Sequence, residues 1–225
     1  MWPLPPIRYE QVIIHIDASS FSVSWISSDN KQPILKAYIC QEFQLLTHYH
    51  LSQTVATFIT KNKLSGALLS ISVASPGVYE ELVSLSTANA TAHDFQNITL
   101  NTLLWDYRYL HPLSNGEHLF YVCGISRPAL FSYQLLATEN QLHIAAISSW
   151  YNTLMQAYKT IFGPAFRTSQ LAIDMEHTGY HLEKHLHADS ISRLLKINPT
   201  VTIDREKEKK SLISMIGLYY QERAL

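Results

Sequence analysis

The sequence predicts an α/β fold, and three observations carry the prediction. Val12–Ile16, Phe21–Ser27 and Ile34–Phe43 have the composition of three consecutive strands joined by short turns. Gln53–Lys63 then carries apolar residues at helical spacing, and Ala67–Val73 is an apolar run typical of a buried parallel strand. A strand meander, a crossover helix and a parallel strand follow one another, so we expect a mixed sheet covered by helices.

The middle of the chain continues the alternation of strands and helices. After the break at Ser75-Pro76-Gly77, Val78–Leu85 is predicted to be a short helix and Thr87–Asn97 a loop. Leu103–Leu110 and Leu119–Ile125 are predicted strands, with Asn115-Gly116 as a hairpin turn between them.

Two strong helix starts follow. In Ser126-Arg127-Pro128 a capping residue precedes a proline in the first turn, which predicts a helix reaching Glu139. Leu142–Ile147 is the next predicted strand, and Ser148 or Ser149 caps a helix over Trp150–Phe162 that Gly163 ends. The unit of strand, serine and helix therefore occurs twice in succession.

The alternation of predicted strands and helices is less clear after Gly163. Leu171–Met175 is a possible strand, and Leu182–Leu195 has helical spacing. Asp204–Lys210 is predicted to be a solvated run of charges that opens a last helix over Ser211–Ala224, with its apolar residues on the buried side.

Composition excludes several classes of function. The 225 residues have 47% apolar side chains and a formal net charge of −1, which gives no electrostatic argument for a nucleic-acid partner. No apolar run is long enough to cross a membrane and the N-terminus lacks the features of a signal peptide, so we expect a cytoplasmic protein. Cys40 and Cys123 lie in apolar segments and are predicted to be reduced core residues.

The loop Asp17-Ala18-Ser19-Ser20 is the candidate functional site. It lies between the first two predicted strands, where an aspartate can orient Mg²⁺ or its waters and small residues let backbone N–H groups approach a phosphate. A hairpin that contains an aspartate and binds no ligand would have the same sequence, so both interpretations stay open.

Four stretches in order resemble one family. They are VIIHIDASSFSVSWI, LLSISVASPGVYEEL, LLWDYRYL with the strand–helix units that follow it, and SLISMIGLYYQERAL. Together they resemble the PilM-type proteins, actin-like components of type IV pilus and DNA-uptake machines, and above all the short members found in competence and fimbrial operons.

The resemblance implies a fold and a set of domains. We expect an actin-like (ribonuclease H-like) lobe that begins in residues 1–85, an inserted α/β subdomain at 86–163, and a reduced second lobe with the closing helix at 164–225. Two departures from actin-like ATPases matter: Ala18 stands where glycine is usual, and Met175-Glu176 stands where the second phosphate loop, after Asp174, needs a glycine.

The resemblance also implies a role through surfaces, without catalysis or cofactor. PilM-type proteins bind the cytoplasmic tail of a bitopic, PilN-like inner-membrane protein, so this chain is expected at the membrane face through such a partner. The peptide groove is expected in the first lobe beside the inserted subdomain. Trp105, Tyr107 and Tyr109 are candidate partner-binding residues, and an aromatic stripe of the sheet interior is the other interpretation.

The sequence leaves two alternative functions open. The chain could be an actin-like ATPase that still binds Mg·ATP at the Asp17 loop. It could also be a metal-dependent hydrolase using His177, His181, His185 and His187, although Gly179 weakens a helix there and in-line helical histidines reach too far for one ion. A solvated helix without metal is the expectation for that cluster.

Overall fold

The structure is a computed structural model that describes residues 10–28, 32–74, 77–95, 103–163, 188–204 and 208–221. Its main feature is a six-stranded sheet with the strand order β8-β4-β1-β2-β3-β9. The strands are β1 (Glu10–Ile16), β2 (Ser20–Ser28), β3 (Pro33–Glu42), β4 (Leu68–Val73), β8 (His143–Ser149) and β9 (Lys196–Ile197).

Strand directions follow the predicted alternation of hairpins and crossovers. β1, β2 and β3 form an antiparallel meander, whereas β1, β4 and β8 run parallel to one another. The crossovers are α1 (His48–Asn62), which precedes β4, and α2 (Arg127–Glu139), which precedes β8. The two-residue strand β9 adds to the start of β3 in parallel.

A second, antiparallel sheet lies between β4 and α2 in the chain. It has the order β5-β7-β6, formed by β5 (Val78–Leu85), β6 (Leu103–Pro112) and β7 (His118–Ser126). The prediction of a helix at Val78–Leu85 is therefore wrong. Both faces of β5 are partly covered, so its apolar residues do not alternate clearly, and pairing with β7 overrides the local helical pattern.

The predicted starts of α2 and α3 are confirmed. Ser126 caps α2 and Ser149 caps α3 (Trp150–Phe162), each by accepting a hydrogen bond from a backbone N–H in the first turn. Helix α1 begins at His48, earlier than the predicted Gln53, because the Thr47 side chain caps it. His48 and His50 are therefore in the first turn of α1.

The six-stranded sheet is covered on both faces. Helices α1 and α2 pack on one face around β1, where Val12, Ile14, Val55 and Leu136 are fully buried. The other face carries α3 and α5 (Lys209–Gln221), and its largest buried side chains are Trp150 and Tyr151. The short α4 (Ala188–Leu194) joins that second layer through Ile191.

Domain boundaries are less clear than the strand pairing. The predicted inserted subdomain, 86–163, includes β8 and α3, yet β8 pairs with β4 in the six-stranded sheet. The separate sheet spans β5 to β7. Of the predicted second-lobe remnant, the described residues form α4, β9 and α5, all packed on the main sheet; the three boundaries themselves stay a prediction.

One cysteine prediction needs correction. Cys123 is half-buried in β7, but Cys40 is exposed near the end of β3 and is not a core residue. The Cys40 side chain lies on the face of β3 opposite α1, where it lines an open cleft, and the last three residues of the strand are exposed.

Helix α5 crosses α3 at very close range. A Cβ atom built on Gly217 would lie 2.2 Å from the backbone oxygen of Thr153 and 2.9 Å from its Cγ2 atom. Real Cβ atoms do not approach a backbone oxygen so closely, and the helix backbone cannot move aside without shifting its neighbours. Glycine at this position therefore determines how closely α5 can approach α3.

We predict that Gly217→Ala destabilises the fold. Alanine is favoured over glycine by about 1 kcal/mol inside an exposed helix, but overpacking at the α3–α5 crossing costs about 1–3 kcal/mol. Urea unfolding should show a lower midpoint for this variant, while Ala56→Val on the exposed face of α1 should change it little. An unchanged or raised midpoint for Gly217→Ala would contradict the close crossing.

Candidate functional site

The Asp17 loop is a tight hairpin whose polar groups largely satisfy one another. The Asp17 N–H donates to the Ser20 carbonyl oxygen at 2.8 Å, which closes the turn between β1 and β2. The Ala18 N–H donates to Asp17 Oδ1, also at 2.8 Å. Ser19 is tied to the end of β3, because its carbonyl oxygen accepts from the Phe43 N–H at 2.9 Å.

The second carboxylate oxygen of Asp17 holds a lysine from the far end of the chain. Lys210 Nζ, in the first turn of α5, donates to Asp17 Oδ2 at 2.8 Å. Both side chains are partly buried. The prediction that Asp204–Lys210 is simply a solvated run is wrong at Lys210, because the packing of α5 on the sheet brings its ammonium group over the loop.

Partial burial and this ion pair act on Asp17 in opposite directions. Desolvation raises the pKa of the Asp17 carboxyl, but hydrogen bonds from Lys210 and from the Ala18 N–H, together with the Lys210 charge, lower it more. The net effect is a pKa below the ordinary value of an aspartate. The carboxylate is therefore ionised at neutral pH and is paired with an ammonium group.

A buried histidine lies next to this pair. His15, two residues before Asp17 in β1, is only 3% exposed, and its ring lies 5.0 Å from that of Trp150. Its Nδ1 atom is 2.9 Å from Ser214 Oγ and 3.4 Å from Ser72 Oγ. Burial lowers the pKa of His15 to about 4, with Asp17 acting to raise it and Lys210 to lower it.

These groups line a cleft of about 390 Å³ at the end of the main sheet where the Asp17 loop joins β1 to β2. Among the described residues, its charged lining consists of three carboxylates, those of Asp17, Glu42 and Glu208, and the ammonium group of Lys210. The remaining lining residues are His15, Ser20, Cys40 and Ser211. Since His15 is neutral at pH 7, the lining has an excess of negative charge.

The chemistry open to this cleft follows from its charges. A polyphosphate would meet an excess of carboxylates and two loop N–H groups already used within the hairpin. The Asp17 carboxylate could reach a divalent cation only by releasing Lys210. In the part of the chain that the structure describes, no group of three or more His, Cys, Asp or Glu side chains is placed to hold a metal ion.

The predicted aromatic residues form a small core of their own. Trp105 and Tyr107 in β6 pack against Phe95, which a 3-10 turn (Ala92–Phe95) places on this face of the small sheet. The Tyr107 hydroxyl donates to the Ala90 carbonyl oxygen at 2.9 Å. Tyr109 is the exposed one of the three predicted aromatic residues, and its ring packs against that of Phe120. Partner binding by these three residues stays a prediction.

A partly buried carboxylate that the sequence did not single out joins the small sheet to helix α3. Glu80 of β5 accepts hydrogen bonds from the Tyr121 hydroxyl at 2.6 Å and from the Tyr151 N–H in the first turn of α3 at 3.1 Å. The Tyr121 hydroxyl also lies 2.6 Å from Ser149 Oγ, the cap of α3. Burial raises the pKa of Glu80, although these hydrogen bonds act to lower it.

Two predicted features lie outside the described residues. They are the possible second phosphate loop around Asp174 and the cluster of His177, His181, His185 and His187. The structure also adds residues that the sequence did not single out, namely His15, Lys210 and Ser214. His15 and Ser214 are polar residues inside apolar segments, which is their only signal in the sequence, whereas Lys210 belongs to a run of charges and has no signal of its own. The contacts of Lys210 and Ser214 join positions about two hundred residues apart.

No protein-family model matches the chain, and no curated protein matches it. Among solved structures, the chain is similar to one described as a PilM–PilN type IV pilus biogenesis complex. The identity is 14%, the TM-score is 0.52, and the match covers 68% of this chain and 51% of that one.

Two further solved structures are similar at lower scores. One is the cytoplasmic domain of EpsL, an inner-membrane component of the type II secretion system of Vibrio cholerae, with 9% identity, a TM-score of 0.44, and 64% and 58% of the two chains covered. The other is a Bacteroides thetaiotaomicron protein of actin-like ATPase fold and unknown function, with 14% identity, a TM-score of 0.40, and 67% and 56% covered.

The likeness to a chain of that solved complex confirms the predicted fold class, an α/β fold with an actin-like lobe. At 14% identity it shows the fold alone. The chain spans about half the length of that relative, 51%. No helix among the described residues has the length and apolar character needed to span a bilayer.

We predict that Lys210→Met raises the pKa of the Asp17 carboxyl. The substitution keeps the length and most of the packing of the side chain but removes the ammonium charge and its hydrogen bond, so desolvation acts with less opposition. Carbon-detected NMR titration of the Asp17 carboxyl measures this directly. Lys209→Met removes the same charge from the neighbouring residue and should leave that pKa nearly unchanged; equal shifts in both variants would contradict a specific pair.

We predict that acidification destabilises the fold through His15. The unfolded imidazole takes up a proton near pH 6.5 and the folded one near pH 4, so the unfolded chain holds more protons between these values. The free energy of unfolding should fall by about 3 kcal/mol as the pH is lowered through that window.

Chemical unfolding of wild type and His15→Gln at several pH values tests the histidine contribution. The difference in stability between pH 7 and pH 4 should be smaller in His15→Gln, whereas exposed His143→Gln should behave as the wild type does. The assignment to His15 is wrong if its removal leaves the pH profile unchanged.

Proposed function

We propose that this chain is a non-catalytic scaffold of a type IV pilus, competence or related secretion apparatus. It binds the cytoplasmic tail of a bitopic, PilN-like inner-membrane protein and is held at the membrane face by that partner. The observation that carries the non-catalytic part is the pairing of Asp17 with Lys210 at 2.8 Å. A fixed ammonium group lies where a working loop would need its carboxylate for a divalent cation.

The hydrogen bonds of the loop support this proposal. Phosphate loops bind anions with backbone N–H groups that have no partner inside the protein. Here the Asp17 N–H closes the hairpin and the Ala18 N–H donates to the Asp17 carboxylate, so two of these donors are already used. Ala18 adds a methyl group where actin-like ATPases usually have glycine.

The charges of the cleft support it as well. Glu42 and Glu208 add two carboxylates to the lining, and the ammonium group of Lys210 balances only one of the three acidic side chains. Binding Mg·ATP would require displacing Lys210 and bringing a polyanion beside the remaining carboxylates. Both steps are electrostatically unfavourable in a partly buried cleft.

The proposed partner comes from the fold likeness and is consistent with the surfaces of the molecule. The solved structure described as a PilM–PilN complex concerns a protein of the same fold that is bound to another pilus component. Extended peptides bind an exposed sheet edge through backbone hydrogen bonds and through pockets for alternate side chains. The outer strand β3 is such an edge and has a cavity on each face.

Calorimetric titration of the purified chain tests the proposal in two arms. Mg·ATP should give no binding heat. Synthetic peptides covering the cytoplasmic tails of bitopic proteins encoded nearby should include one that binds, with a peptide of the same composition in shuffled order as the control.

The second candidate function, an actin-like protein that still binds Mg·ATP at Asp17, gives the opposite pattern. Binding of Mg·ATP that disappears in Asp17→Ala would establish it and overturn the non-catalytic proposal. Absence of binding by every tail peptide would overturn the partner proposal and leave the nucleotide result to stand separately.

A further inference from the structure

Strand β3 is the outer strand of the meander, and only its beginning carries a strand partner on the outside. The ladder with β9 pairs Ile34 with Lys196 and Leu35 with Ile197, and the Asn198 N–H then donates to the Leu35 carbonyl oxygen at 3.0 Å. After that point the chain turns away. The described part of the chain adds no strand alongside Ala37, Tyr38 or Ile39.

The backbone direction at this edge follows from the hairpin. The Phe43 N–H donates inward to Ser19, and successive residues of a strand alternate in the side to which their N–H and C=O groups point. Tyr38 lies five residues before Phe43, so its backbone groups point outward. An added strand could therefore form ladder hydrogen bonds there.

Two cavities lie on opposite faces of the same strand. A groove of about 480 Å³ runs between β3 and α1 and is lined by Ala37, Ile39 and Gln41 from the strand and by Thr54, Thr57 and Phe58 from the helix. The Asp17 cleft, of about 390 Å³, takes Cys40 and Glu42 from the other face of β3.

The alternation of the strand fixes what an added strand would present. Its side chains beside Ile39 and Gln41 would enter the groove under α1, whose described lining contains no carboxylate. Ile39 and Phe58 give this groove apolar surface, and Lys61 adds an ammonium group that disfavours a basic side chain there. The side chains one residue away would face the Asp17 cleft, where three carboxylates outnumber one ammonium group among the described residues. The two positions thus favour short apolar and basic side chains respectively.

We propose that the outer edge of β3 receives an extended segment with alternating basic and short apolar side chains, bound by strand addition. The inference deepens the proposed scaffold function and rests on it for the identity of the partner. Cytoplasmic segments next to a membrane span are rich in Lys and Arg, which matches the acidic side of this surface. The site is at the far edge of the main sheet from β8, away from the Trp105 stripe.

Binding of a defined peptide to the full chain tests the surface. The probe is an acetylated, fluorescently labelled peptide of about eight residues in which Lys alternates with Val and Thr. Its control is an isomer with all the lysines in one block, which has the same charge but cannot present basic groups on one face only. Fluorescence anisotropy at physiological salt should show at least about tenfold tighter binding of the alternating peptide.

Matched variants locate the binding. Thr57→Trp fills the groove under α1 and should weaken binding by about fivefold or more, whereas Thr60→Trp, exposed on the same helix but outside the groove, should not. Glu42→Gln should weaken binding and Glu81→Gln, exposed in β5, should not. All four positions are on the surface or at its margin, so the variants should fold.

Each outcome decides the proposal. Equal binding of the two isomers, or equal effects of Thr57→Trp and Thr60→Trp, would overturn it as non-specific charge attraction. If a cytoplasmic-tail peptide of a bitopic protein encoded nearby binds the wild type and Thr57→Trp equally, the scaffold function stands and this surface is rejected. Binding of the alternating peptide at β3, with no tail binding in calorimetry, would preserve the surface and reject the proposed partner.

Discussion

The packing of helix α5 on β1 and α3 determines the state of the candidate site. Its glycine at 217 lets α5 lie against the backbone of α3, and Ser214, three residues earlier, reaches His15 inside the sheet layer. One further turn back, Lys210 lies over the Asp17 carboxylate. A single helix thus provides the buried contacts of that layer and the counter-charge of the loop, so the two cannot change independently.

An ammonium group that belongs to the fold differs physically from a bound cation. Lys210 is attached to a packed helix, so pairing with Asp17 requires no loss of translational freedom and does not depend on the concentration of any ligand. The loop can therefore keep its carboxylate, its tight turn and its place at the end of β1 without a nucleotide.

Much of the fold could be predicted because the signals are local. Ser126 followed by Pro128, and Ser149 before Trp150, specify helix starts through their own backbone hydrogen bonds, and both predictions are confirmed. The strand at Val78–Leu85 was missed because its conformation depends on pairing with β7, about forty residues away. No local pattern distinguishes a strand with two partly covered faces from a short helix.

The site was predictable only in part for the same reason. Asp17 stands out because it ends an apolar strand, but its partner Lys210 lies in a run of charges that has the composition of a solvated segment. Cys40 was misassigned because an apolar run does not show whether a helix covers the face of the strand on which each side chain lies. Long-range packing decides both cases, and a single sequence contains no direct record of it.

We propose that the Asp17 loop holds an internal ammonium group in place of a divalent cation. Paramagnetic broadening by Mn²⁺, with and without ATP, of the amide NMR signals of the labelled protein measures whether a cation binds. We expect no selective broadening of Ala18, Ser19 and Ser20. Broadening confined to those amides, and lost in Asp17→Asn, would show that a cation does bind there and that Lys210 does not replace it.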